Sequence, residues 1–596
     1  MRLSRFSLAL SSSLLSVTLS QAAIVSQVSD IPNNIKFDFI IIGGGNSGNV
    51  VANRLSENPK VQVLVLEAGP SHEGVLVAEV PFFATELVQP SPYEWNYTTT
   101  PQPGLAGRSI AYPRGHILGG CSITNWLVYT RGSNEDFDRY AKVSGDQGWS
   151  WKGILPYFKK SEKWSLPADG HNITGQFDPT MHGYKGEVAV SLPGYGTPID
   201  QRVLQATSQM GGDYKFNLDY NSGNQLGISW AQTTIDGSER ASSASSYLAP
   251  KFLARKNLWV AVNAQVSRVI QSGGGPVPAF RTVEFRQRSG GPLKTLTAKQ
   301  EVILSAGTVG TPHILLNSGI GNAKTLKAIG VKPLVDLPDV GQNMHDHPVL
   351  GNPWLVNSTN TFETLRRDTQ LADDAITQWQ VNKTGPLVNT ILDHIGFVRL
   401  NKKLVPKPDT AAGPTTPHYE MIISNGIPPA PAPPAGNFLV LTTIVVSPSS
   451  RGSVTLRSKN PFDSPVIDPG LLKTNFDKLV MREAVKGVTK FVSAPAWSGY
   501  VIGPAGAFAD ATNDTALDAY IANNSGTLFH PVGTASFSAK GAKTGVTDPD
   551  LTVKKVAGLR VVDVSVLPYV PSAHTQAAAY AIGERASDLI KKAYKL

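Results

Sequence analysis

Cysteine is nearly absent. The 596 residues contain one, Cys121, so no intramolecular disulfide can form, and the fold must rest on packing and bound groups rather than on cross-links. Long apolar runs are missing too. Beyond the first twenty-odd residues, no stretch reaches the roughly 18 uninterrupted apolar residues of a membrane-spanning helix, so a membrane span is not expected. Positive charge exceeds negative by nine, but Lys and Arg are dispersed and never interleave with aromatics, which argues against a nucleic-acid partner. No metal site is expected: His345 and His347, in Met344-His-Asp-His-Pro348, lack further ligands at zinc-like spacing and read as a structural turn. What remains is globular in composition, with 41% hydrophobic residues and many turns implied by 43 prolines and 55 glycines. A chain this long outgrows one core, so at least two lobes are expected.

Residues 1–22 read as a signal peptide. Two arginines precede a stretch of apolar and small residues that ends at Ser20-Gln21-Ala22, which fits cleavage near Ala22 and a secreted, extracellular protein. Six Asn-x-Ser/Thr sequons, at Asn96, Asn172, Asn357, Asn382, Asn513 and Asn523, are glycosylation candidates on that route.

The apolar run Phe37–Ile42 reads as a buried parallel strand and leads directly into Gly43-Gly-Gly45-Asn46-Ser47-Gly48. Helical spacing follows from Asn49 to Glu57, and then comes a second apolar strand, Val61–Leu66, ending at Glu67 and Ala68. Strand, glycines, helix, strand and acid form a βαβ dinucleotide unit. The glycines let backbone approach a pyrophosphate, the helix N-terminus offers free N–H groups, and Glu67 is placed to accept from ribose hydroxyls and to repel a 2′-phosphate.

Three further segments carry a family resemblance. Tyr112-Pro-Arg-Gly115-His-Ile-Leu-Gly119-Gly120-Cys121-Ser122-Ile-Thr124-Asn125 and Gly307-Thr-Val-Gly-Thr-Pro312-His-Ile-Leu-Leu-Asn-Ser318-Gly319-Ile-Gly321 resemble the two signatures of the glucose-methanol-choline (GMC) oxidoreductases. The carboxyl end adds Phe529-His530-Pro-Val-Gly-Thr534, Asp563, and Ala573-His574-Thr575-Gln576. Within the family, Trp95–Thr100, Thr130–Ser133 and Gly227–Trp230 are most similar to fungal aryl-alcohol oxidases and, next, to pyranose dehydrogenases.

The resemblance implies an α/β (α+β overall) architecture, in which a Rossmann-type FAD lobe is interleaved with a substrate lobe built on a mostly antiparallel sheet. The expected division is 36–350 for the FAD lobe with substrate-lobe insertions, 351–520 mainly for the substrate lobe, and 521–596 for a return to the FAD lobe. It implies FAD contacts at Gly119, Gly120, Asn125, Val266, Asp563, Thr575 and Gln576, with Val266 placed in a continuation of the strand Leu258–Val262. It also implies His530 as general base and His574 as a hydrogen-bond partner of the substrate oxygen. Imidazole suits the first role because its ordinary pKa is about 6.5.

Departures from the family shape the expectation. Thr124 stands where tethered members carry the histidine joined to flavin, so dissociable, non-covalent FAD is expected. His116 replaces a common Arg or Lys, Cys121 replaces a common Ser and reads as a small packing residue, and no aromatic gate residue appears in 424–434. Trp126 and Phe529 are candidates for the substrate pocket. The expected activity is oxidation of a primary alcohol, aromatic or allylic, with O2 reduced to hydrogen peroxide. The alternatives are a sugar dehydrogenase that passes electrons to a quinone and a catalytically silent FAD-binding protein. The expected partners are a small-molecule alcohol and an electron acceptor, O2 or a quinone, and the sequence leaves the oligomeric state open, with a monomer among the options.

Overall fold

A computed structural model describes residues 24–427 and 432–596. The signal-peptide reading at 1–22, and residues 428–431 of the gate segment, lie outside the described residues.

Six strands form one parallel sheet, in the spatial order Ile24–Val25, Leu258–Ala261, Val63–Leu66, Phe39–Ile42, Glu301–Leu304, Leu559–Val561. Every residue of Phe39–Ile42, Val63–Leu66 and Glu301–Leu304 is buried, as continuous apolar runs require when a sheet is covered on both faces. The helix Asn46–Leu55 follows the first of these three strands, and the final helix, Gln576–Tyr594, packs against it. The carboxyl end thus returns to the nucleotide lobe.

Val266 departs from the expected placement. The parallel strand stops at Ala261, Asn263 takes a left-handed φ of 56°, and Val266 lies in Ala264–Ile270, the first strand of a separate three-stranded antiparallel sheet. Apolar character alone carried the strand prediction across that turn, because a single αL residue leaves the hydrophobic pattern intact.

The second lobe is a seven-stranded antiparallel sheet: Val501–Pro504, Pro348–Val356, Phe438–Val445, Tyr419–Ser424, His394–Val398 and Gly227–Trp230 in order, with Gly526–Thr527 also pairing with Pro348–Val356. Strand alternation divides its two faces. Leu350, Leu439 and Leu441 point into a core with Val480, Met481, Ala484 and Val488 of the helix Asn475–Val492. Their neighbours Val349, Gly351, Val440 and Thr442 line a cavity on the opposite side.

Candidate active site

One cavity of ≈ 770 Å³ runs between the lobes, and at one end the glycine loop forms its wall. Gly43, Gly45, Asn46, Ser47, Glu67 and Ala68 line it. Gly48 sits behind this wall, where an added Cβ would lie 2.1 Å from the Gly43 carbonyl oxygen, so helix and strand can close up only around glycine. Gly120 has φ 53°, and its Cβ would fall 2.9 Å from the Gly45 Cα; Gly119 supports it from behind through an N–H bond to the Gly44 carbonyl at 2.7 Å. The Glu67 carboxylate accepts from the N–H groups of Gly44 at 2.8 Å and Gly69 at 2.7 Å, and burial pushes its carboxyl up to about 7. It therefore holds the loop as well as facing the cavity.

Val266, Asp563, Thr575, Asn125 and Gln576 line the same space. Asp563 accepts from the N–H of Gly307 at 3.0 Å and from the Thr311 hydroxyl at 2.6 Å, which fastens the last parallel strand to the start of the helix Gly307–Asn317. Asn125 donates to Gln576 at 2.9 Å, and Gln576 donates to the Val128 carbonyl at 2.7 Å.

His530 and His574 meet at the other end with ring centroids 4.6 Å apart. Different elements deliver them. His530 follows the short strand Gly526–Thr527 through Phe529, which adopts a φ of 63°, while His574 lies two residues before the final helix. Phe529 and Trp126 also line the cavity. Burial, followed by unfavourable electrostatics with His574, His347 and Arg114, holds His530 well below the usual imidazole pKa, so its ring is neutral.

Several groups the sequence did not single out complete the site. Glu420 is fully buried and accepts from His574 Nε2 at 2.8 Å. A carboxylate inside the otherwise apolar strand Tyr419–Ser424 was its visible signal. Glu94 lines the cavity with neither carboxylate oxygen bonded within the described residues, and burial pushes it up to about 7. Arg114 ties the first signature segment to the carboxyl-terminal segment that carries His530, donating to the Phe529 carbonyl and to Cys121 Sγ, both at 2.7 Å.

Asp346 accepts from the Tyr112 hydroxyl at 2.5 Å and the Thr527 hydroxyl at 2.6 Å through one oxygen. Through the other it accepts from the N–H groups of His347 at 2.8 Å and His530 at 2.9 Å. His345 is structural, accepting from the N–H of Val570 at 2.9 Å. His347 is not merely part of a turn, because its Nδ1 lies 3.0 Å from Nδ1 of His530. Sequence distance hid this contact, with 183 residues separating the two histidines.

A parallel nucleotide lobe, a glycine cradle and a histidine pair facing an antiparallel sheet define a flavin-dependent oxidoreductase. The profile described as GMC oxidoreductase matches residues 37–349 and 448–583, and the chain belongs to that family of FAD enzymes. A dehydrogenase of Hericium erinaceus is 43% identical over 97% of this chain and 98% of its own length, and pyranose dehydrogenase 3 of Leucoagaricus meleagris is 41% identical over 95% and 94%. Among solved structures, a formate oxidase of Aspergillus oryzae superposes with a TM-score of 0.86 at 28% identity, covering 95% of this chain and 99% of that one. A fungal aryl-alcohol oxidase superposes at 0.80 with 27% identity, covering 94% and 100%. The cavity fits FAD: side-chain-free backbone at Gly45 and Gly120 leaves room for a close approach, and Gln265 Oε1, without a partner among the described residues, is a further acceptor in its wall.

Proposed function

We propose that this protein oxidises a primary alcohol, aromatic or allylic, to the aldehyde and reduces O2 to hydrogen peroxide. The observation that carries the substrate class is the wall facing the histidine pair. Trp126, Val349, Ile427, Val440, Leu528 and Phe529 line the cavity there, a surface that desolvates a flat apolar alcohol and offers a sugar few hydrogen bonds. His530, neutral through burial, takes the hydroxyl proton. His574, held through Nε2 by the Glu420 carboxylate, hydrogen-bonds the substrate oxygen and stabilises it as it becomes alkoxide-like. Bound FAD supplies the acceptor for the hydride leaving the carbinol carbon, and O2 takes up the resulting two electrons with two protons.

A sugar dehydrogenase using a quinone is the second reading, favoured by the 41% identity to a pyranose dehydrogenase. Anaerobic mixing of the yellow protein with 4-methoxybenzyl alcohol or glucose, then with O2 or benzoquinone, separates the two. Bleaching by the aryl alcohol with recovery in O2 is expected; bleaching by glucose alone with recovery only in quinone would replace the first reading with the second.

Thr124 supports dissociable FAD, which acid precipitation of the protein would release into the supernatant. Exposure of all six sequon asparagines supports a secreted glycoprotein, although Asn96 already donates its amide to the carbonyls of Ser91 and Glu94. A mass shift on deglycosylation of the secreted protein tests it.

A further inference from the structure

The contact between the two buried imidazoles is chemically restrictive. Nδ1 of His347 and Nδ1 of His530 stand 3.0 Å apart, with rings inclined at 79°. Two lone pairs, or two N–H groups, at that distance would repel, so one nitrogen carries a proton and the other accepts it. The donor's identity fixes the tautomer of both rings.

The surroundings decide between the two arrangements. His347 is fully buried and neutral, with burial first and then the charge of His574 pulling its pKa down to about 3. A neutral imidazole has a single N–H. Among the polar groups beside the His347 ring are the carbonyls of Val446 and Pro571, and carbonyls only accept. Its Nε2 has no hydrogen-bond partner within the described residues. Neighbouring acceptors favour a proton on the ring nitrogen away from His530, so the proton of His347 belongs on Nε2 and its Nδ1 lone pair is left to accept from His530. His530 then carries its proton on Nδ1 and presents an unprotonated Nε2.

We infer that His347 is a positioning residue that sets His530 in its Nδ1–H tautomer, keeping the Nε2 lone pair free for the substrate hydroxyl. The inference rests on the reading of His530 as the base and adds what makes it one. When Nε2 takes the hydroxyl proton, the Nδ1–H bond to His347 persists and helps hold the new imidazolium; no proton passes to His347. Asp346 keeps the pair in register, since one of its oxygens receives the backbone N–H of both histidines. The same aspartate is bound by Tyr112 and Thr527, so the two segments are fixed by a network buried throughout.

The primary test is independent of substrate. In ¹⁵N-histidine-labelled holoenzyme, with the His530 signals assigned by their loss in His530→Ala, the proton is expected on Nδ1 and the lone pair on Nε2. A proton on Nε2 of His530 overturns the inference. Two variants supply the kinetic arm. His347→Asn places a carbonyl oxygen where Nδ1 stood and should keep the rate of flavin reduction by 4-methoxybenzyl alcohol near wild type. His347→Leu removes the acceptor and should slow it about 10- to 100-fold with FAD content unchanged. Equal rates in the Leu and Asn variants, beside an inactive His530→Ala, reject the role of His347 alone. Normal reduction in His530→Ala instead rejects His530 as the base.

Discussion

A single imidazole at the cavity end carries the sharpest consequences. Because burial and neighbouring positive charge lower the His530 pKa, the lone pair it needs is present at pH values well below 6.5 and above. Flavin reduction by alcohol is therefore expected to be flat with pH through neutrality, with its acid limb well below 6.5; an inflection near 6.5 in stopped-flow rates would contradict this environment. His530→Ala should retain FAD and lose about 10²–10⁴-fold in that rate. Glu420 acts through His574. A hydrogen bond involving a charged group contributes about 1.5–3 kcal/mol, so Glu420→Gln should slow reduction roughly 10- to 100-fold while the visible flavin spectrum remains. Loss of yellow colour in that variant would move Glu420 from chemistry to folding.

At the scale of elements, strand alternation and the glycine loop do most of the work. Phe438–Val445 turns Leu439 and Leu441 toward a helix and Val440 and Thr442 toward the cavity, so one strand builds both the lobe core and a wall of the cavity. The loop after Phe39–Ile42 is less tolerant. A methyl group at residue 48 would collide with the Gly43 carbonyl, which is backbone and cannot swing aside. Gly48→Ala is expected to purify with little or no FAD, measured as the absorbance ratio of flavin to protein. Full occupancy would mean that helix and strand separate more readily than their packing implies.

Across the whole molecule, buried ion pairs join segments distant in sequence. Arg131 pairs with Glu162, which accepts from His182 Nδ1 at 2.6 Å, and His182 Nε2 meets Asp219 at 2.7 Å. Burial opposes charge on His182, but hydrogen bonds to Asp219 and Glu162 raise its pKa above the ordinary value. The sign follows from linkage: a raised folded pKa stabilises fully below the unfolded value of about 6.5 and ceases to do so as pH rises through the folded one. The melting temperature should fall as pH rises through that interval above about 6.5 in the wild type, and the fall should be smaller in His182→Gln, read by calorimetry at fixed FAD. Excess FAD should raise the melting temperature of both, since ligand at about 100-fold above Kd adds about 2.7 kcal/mol to the folded state.

Much of this was local in the chain and so legible there. Four consecutive apolar residues followed by glycines dictate a buried strand and a tight turn wherever they occur, and the family motifs placed Asp563, His530 and His574 around one cavity without any tertiary information. The strand end at Ala261 escaped because one left-handed residue, Asn263, leaves no mark on hydrophobic periodicity. The partners of the two histidines escaped for a different reason. Glu420 lies 154 residues from His574 and His347 lies 183 from His530, and only the packing of one lobe against the other brings each within hydrogen-bonding distance. The motifs determined which side chains line the cavity end; the tertiary structure decided their surroundings, because burial and the groups packed beside each ring come from segments far apart in the chain.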